Sequence, residues 1–230
     1  MNLKSELIDA TGVSAQRRDI AACALGLALL LVWDTAGLDL RLVRLFGDAQ
    51  GFAWRDHWFT SGVLHEGGRA LGWAVMLALL AHLRWRLPFA KAMTQRVAWW
   101  WVGTTLLCVL LIPLIKRVSL TSCPWSLAEF GGAASYVSHW AWGRTDGGPG
   151  HCFPSGHASG AFSFLAGWWA LRVSAPRAAR WWLVLTVVIG MGFGWGQMMR
   201  GAHYASHTLW TAWICWAVTV ASWHLLRPQR

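Results

Sequence analysis

A chain of 230 residues that is 56% apolar and only 13% charged has too little polar surface to cover a soluble fold. Its net charge of +10 would suit a nucleic-acid partner, but the distribution of that charge argues against one and follows a membrane topology instead.

The first 18 residues are polar and precede an apolar run at 20–37 that Asp34 shortens. No small-residue cleavage site follows, so the run reads as a retained helix rather than a signal peptide. A spanning helix needs about 20 mostly apolar residues. Five further candidates follow at 68–84, 97–116, 157–173, 181–200 and 206–226. The third, fifth and sixth runs stand on hydropathy alone. The first, the second (which opens at Arg69) and the Gly- and Ser-rich fourth have a buried soluble helix as their alternative. Between the first two runs, residues 38–67 form an outer segment. There Leu38, Leu40, Leu42, Leu45 and Phe46 alternate with Asp and Arg, as in a helix lying in the interface. The loop from 117 to 156 is the longest connection and holds Gly131-Gly132 and the turn-forming stretch Gly143 to Gly150. Long loops in compact domains are usually functional or disordered. The expected fold is all-α: one domain over 1–230, a six-transmembrane-helix bundle with an outer-face interfacial helix and a long outer loop.

With the N-terminus inside, the inner segments hold Lys4, Arg17, Arg18, Arg84, Arg86, Lys91, Arg96, Arg172, Arg177, Arg180, Arg227 and Arg230 against Glu6, Asp9 and Asp19. That side is +9 and the other +1, the positive-inside pattern with both termini cytoplasmic. Among the 20 Trp, the pairs Trp99-Trp100, Trp168-Trp169 and Trp181-Trp182 fall near helix ends, where indole favours the interface. Cys23, Cys108 and Cys215 lie in apolar runs and read as buried hydrophobes. Cys123 and Cys152 share the outer loop, where an oxidising compartment would let them pair; two free thiols are the alternative.

Three polar clusters fall at outer helix ends: Lys116-Arg117 through Cys123-Pro124, Pro154-Ser155-Gly156-His157, and Gln197 through His207. Ionisable groups at membrane depth are costly and usually mark function. Lys116, Arg117 and Arg200 supply charge for an oxyanion. Ser155 and Gly156 open a helix whose free N–H groups suit phosphate. His157 can give a proton to a leaving oxygen, His203 can act as nucleophile or base, and His207, one turn on, can orient the His203 ring. Each also has a plain reading: Lys116 and Arg117 as headgroup anchors, Ser155 as a cap, and the histidines as satisfied polar groups. His57, His65, His82, His139, His151 and His224 take that plain reading, although His151, with Arg144, lies in the long loop of the candidate site and so has more claim to a role there. His157, His203 and His207 have the spacing of a three-His zinc site as a further alternative.

This pattern resembles the type-2 phosphatidic acid phosphatase superfamily, membrane lipid phosphatases with the motifs K-x6-R-P, P-S-G-H and S-R-x5-H-x3-D. The middle motif is complete as Pro154-Ser155-Gly156-His157. The first matches at Lys116 and Pro124, with Cys123 at the Arg position. The third aligns on His203, with Gly196 for Ser, Gln197 for Arg and His207 for Asp. A second register makes His207 the nucleophile and puts Thr211 at the Asp position. The resemblance implies ping-pong hydrolysis with neither metal nor cofactor. His203 would attack phosphorus, His157 protonate the leaving group, and Lys116, Arg117, Ser155, Gly156, Gln197 and Arg200 hold the oxygens. The expected partners are a lipid phosphate substrate and membrane lipids, without nucleic acid, at the periplasmic face of a bacterial inner membrane. A phosphotransferase of the same fold and a non-enzymatic binding or transport relative are the alternatives.

Overall fold

The computed structural model describes residues 3–86 and 88–229, with side chains from Val13 onward except that of Phe89. Of the charges counted above, Lys4, Glu6, Asp9 and Arg230 lie outside the described side chains. The protein is mostly helical, with α1 (Leu3–Thr35), α2 (Leu38–Val43), α3 (Gly68–Trp85), α4 (Gln95–Val118), α5 (Gly156–Phe162), α6 (Ala166–Leu171), α7 (Pro176–Met199) and α8 (Ala205–Leu226). α4, α7 and α8 are long and apolar enough to cross a membrane, the composition of a membrane protein. Length and hydropathy support those three spans and leave the expected count of six unsupported.

Several boundaries depart from the sequence reading. α1 runs through the polar N-terminal residues as one continuous helix. The helix ahead of α3 starts at Phe59, in a nine-residue π-helical stretch, Phe59–Gly67, inside what was expected to be outer loop. At its start Thr60 and Ser61 hydroxyls donate to the His57 carbonyl, and Thr60 also to that of Trp54. Such side-chain bonds compete with the regular ladder. The interfacial helix shrinks to α2; Leu45 is exposed, while Asp39 and Val43 are its buried residues. A two-stranded antiparallel hairpin, β1 (Gly47–Asp48) with β2 (Gly51–Phe52), qualifies the all-α expectation.

The chain's turns bring the end of α4, the start of α5 and the joint between α7 and α8 to one end of the bundle. α7 and α8 approach so closely there that a Cβ on Gly194 would lie 2.2 Å from Thr208 Cγ2. Asp39 fastens the start of α8: its carboxylate accepts from Ser206 N at 2.9 Å, from Ser206 Oγ, and from Trp33 Nε1 at 3.0 Å. An acid suits a helix N-terminus, where free N–H groups carry partial positive charge. At the opposite end, Trp100, Trp101, Trp169 and Trp223 pack into the largest apolar core. Asp19 there holds Trp169 Nε1, Arg172 and His224.

Candidate active site

Lys116 is in the last turn of α4 and half-buried, and its ammonium makes no hydrogen bond or ion pair among the described residues. It faces the start of α5: a Cβ on Gly156 would lie 3.9 Å from Lys116 Nζ. Ser155 caps α5 by accepting from Ala158 N, and its own N–H donates to the His207 carbonyl at 3.1 Å, which ties α5 to α8. Arg117, one residue on, is exposed at the helix end without a described partner, about 100° round the helix from Lys116. The expected pair is therefore split, and only Lys116 joins the cluster.

His203 sits in the joint between α7 and α8 and is only 4% exposed. Gly201 makes the turn before it with φ of 71°, a left-handed conformation that favours glycine; a Cβ there would also strike the Phe52 ring at 2.4 Å. The His203 N–H donates to the Gln197 carbonyl at 3.3 Å. Its ring Nδ1 lies 3.4 Å from His207 Nδ1 and 3.6 Å from Cys152 Sγ. His207 Nδ1 also lies 3.1 Å from the Cys152 carbonyl, which can only accept, so that nitrogen carries hydrogen. Burial, reinforced by the positive charge of Lys116, holds the His203 imidazole well below its usual titration range. The ring is thus neutral near pH 7. His207 Nδ1 carries hydrogen and cannot accept, so His203 gives its own Nδ1–H to the Cys152 carbonyl, which leaves Nε2 bare.

Gln197, at the position where the resembled motif has Arg, is buried, and its Nε2 has no partner among the described residues. A buried amide donor left open is costly unless a ligand meets it. Gly196, where that motif has Ser, lets the π-helical stretch approach: a Cβ would lie 2.6 Å from Leu64 Cδ1. Arg200 caps α7, and its Nε donates to the Arg55 carbonyl at 2.7 Å, with its charge reaching His157. Thr211 donates to the carbonyls of Ser155 and His207 and so is occupied with backbone in the second register.

The PAP2 superfamily model aligns with residues 97–230, more than half of the chain. The chain belongs to the PAP2 superfamily. Members of this superfamily are typically phosphatases. No curated protein matches the chain, and no solved structure matches it.

In this PAP2 chain the Arg position of the first motif is taken by Cys123, which is disulfide-bonded to Cys152. The bridge clamps the long loop beside His203. Cys123, Cys152 and His203 bring possible ligand atoms within 4.8 Å of one another. Both sulfurs are committed to the bridge, however, and a metal ligand must be thiolate. His157, His203 and His207 do not come that close together among the described residues.

Two histidines given a plain reading from sequence belong to the neighbourhood. His65 stacks on His157 with ring centroids 3.8 Å apart. His139 packs edge-on to His207 at 5.8 Å and has Nε2 3.3 Å from Asp34 Oδ2, which also accepts from Trp140 and Trp210. Nothing local in the sequence marks either, since His65 and His157 are 92 residues apart. Beyond the ring of His139 opens a cavity of about 420 Å³, lined by Phe153, Trp140, Trp142, Trp210 and the end of α4.

Proposed function

We propose that this protein is a membrane phosphatase that hydrolyses a lipid phosphate or diphosphate through a phosphohistidine at His203. The observation that carries the proposal is an unpartnered, half-buried Lys116 whose charge bears on a neutral, buried His203, with Gln197, whose buried Nε2 is also unpartnered, joined to His203 through its main-chain carbonyl. Open donors around a nucleophile are what an oxyanion needs, because they meet charge without reorganising. His203 Nε2 forms a bond to phosphorus as the bond to the leaving oxygen breaks, and His157 gives that oxygen a proton. Water then attacks phosphorus, its proton returns to His157, and inorganic phosphate leaves with His203 restored. Lys116, Gln197, Arg200 and the Gly156 N–H at the start of α5 hold the non-bridging oxygens, with the Ser155 hydroxyl beside them; Arg117, exposed at the helix end, adds charge at the surface.

The lipid nature of the substrate is supported by the apolar spans and by the aromatic cavity beside the site, wide enough for the first part of a chain. Undecaprenyl diphosphate, phosphatidylglycerol phosphate, phosphatidic acid and lipid A are the substrates to try. We place the site at the periplasmic face of an inner membrane with both termini cytoplasmic, since Arg84, Arg86, Lys91, Arg96, Arg172, Arg177, Arg180 and Arg227 fall at the opposite end of the helices.

The test is phosphate release from that panel by detergent-purified protein in EDTA, with and without a lipid acceptor, for wild type and for His203→Ala, His157→Ala and His207→Ala. Release that disappears in His203→Ala supports the reading. Survival in His203→Ala with loss in His207→Ala moves the nucleophile. Release that needs the acceptor makes the protein a transferase, and no release from folded protein makes it a binding protein.

A further inference from the structure

His157 is held by more than its own helix. Its Nε2 lies 3.1 Å from the main-chain carbonyl of His65, and a carbonyl only accepts, so Nε2 carries hydrogen and Nδ1 is the nitrogen that gains or loses the working proton. The His65 ring lies face to face on the His157 ring, centroids 3.8 Å apart and planes 15° from parallel. On its other edge, His65 Nδ1 lies 2.9 Å from Glu66 Oε1, while Glu66 Oε2 accepts from Arg69 Nη2 at 2.5 Å. The π-helical stretch, a rare form that is frequent at functional sites, carries His65 and Glu66, and α3 carries Arg69. The stretch packs against α7 at Gly196, where an added Cβ would lie 2.6 Å from Leu64 Cδ1.

We propose that His65 is a positioning residue for His157, fixing its tautomer with the main-chain carbonyl and opposing its second charge with the stacked ring. This rests on the reading of His157 as the proton donor. Two imidazolium rings at this separation repel, so the pair holds one added proton at a time. The charged groups bearing on His157 are His65 with Glu66 and Arg69 from the π-helical stretch and α3, Lys116 from α4, Arg200 at the end of α7, and His203. Lys116, Arg200 and the stacked His65 all oppose a positive charge on His157. The consequence is a protonated His157 that surrenders its proton readily to a leaving oxygen.

The test uses full-length protein with 15N-labelled histidine in detergent, the His157 signals being assigned by their loss in His157→Gln. In wild type, neutral His157 is expected to show a protonated Nε2 and an unprotonated Nδ1. In His65→Phe, which keeps the carbonyl and a stacked ring without its charge, the tautomer is expected to stay and the His157 midpoint to rise by about one pH unit. His65→Tyr gives a second uncharged ring if His65→Phe does not fold. The alkaline limb of phosphate release should rise with the midpoint. A neutral His157 protonated at Nδ1, or a midpoint that does not rise in either variant, overturns the proposal. Phosphate release that survives His157→Gln would overturn the catalytic reading of His157 instead, and the resonance data would still judge the stack.

Discussion

The two ends of the bundle handle buried charge in opposite ways. At the end away from the site, Arg172 is matched: Asp19 accepts from it at 3.2 Å, from His224 at 2.9 Å and from Trp169 Nε1 at 3.0 Å. At the site, Lys116 has no partner among the described residues, and the acids nearby are spoken for. Asp34 accepts from two indoles beside His139, and Asp39 caps α8. A buried ion is tolerated when paired. Leaving one unpaired is sensible only where an anion arrives to complete it, so the same kind of residue reads as structural at one end and as a binding group at the other.

The largest expected effect separates the two ends directly. Lys116→Met should lower phosphate release by about a hundredfold or more, as loss of one oxyanion donor does, while leaving thermal stability unchanged or higher, because an unpaired cation leaves a half-buried site. Arg172→Met should do the reverse: phosphate release near wild type and a stability loss of about 2 kcal/mol, the partly exposed pair being worth less than a fully buried one. Parallel measurement of turnover and of melting for both variants is the check. Equal losses of stability with no difference in turnover would dissolve the contrast.

Much of this site was legible because its chemistry is local. Lys116, Ser155-Gly156-His157 and His203 announce themselves as polar groups at the ends of apolar runs, and hydropathy places those ends. α4, α7 and α8 agree with the expected runs within a few residues. Which of Lys116 and Arg117 turns inward was not legible, since adjacent residues differ by about 100° and both flank an apolar helix. His65, His139, Asp34 and Asp39 were hidden for another reason. Their roles are contacts across long stretches of chain, and a lone His or Asp on a helix has no pattern that reports its distant partner. The Cys152 carbonyl that meets His207 is beyond any sequence reading, because every residue has one. At the π-helical stretch ahead of α3, the Thr60 and Ser61 hydroxyls bond to backbone carbonyls, a choice of partner that hydropathy does not record.

A smaller effect sharpens the comparison through acid. His203 faces the cation Lys116, whereas His224 at the far end faces the carboxylate of Asp19. Burial and Lys116 depress the folded His203 below its ordinary 6.5. Above pH 6.5 the ring is neutral in both folded and unfolded chains and contributes no pH dependence. As the pH falls below that value the unfolded chain takes up a proton that the folded site refuses, so stability declines until the folded ring also protonates. His203 meanwhile stays neutral, and if it is the nucleophile as proposed, the acid limb of phosphate release should lie below 6.5. Melting curves across pH 8 to pH 5, as round working values, should show a slope that is reduced in His203→Gln. A slope identical in the variant would place the acid sensitivity elsewhere.

The smallest expected effect concerns how the site is held rather than what it does. Asp39, which is buried, and Asp19, which is half-buried, each have an indole donor, but Asp39 meets no cation among its hydrogen-bond partners. Its charge is met instead by the N-terminus of α8, which places the carboxylate at the positive end of the helix two residues before His207. Asp39→Asn keeps an oxygen that can accept from Ser206 N and loses the charge, so it should cost about 0.5 kcal/mol; Asp39→Ala loses both and should cost about 1 kcal/mol or more. Faster amide exchange at Ser206 and a lower melting temperature, each in the order wild type, Asn, Ala, are the expected readings. Turnover should fall only severalfold in either variant, because Gly201 and the Gln197 carbonyl still set the turn that carries His203. A loss of turnover as large as that of Lys116→Met would mean that Asp39 acts on the reacting groups, and the division between paired structural charge and open binding charge would no longer follow the two ends of the bundle.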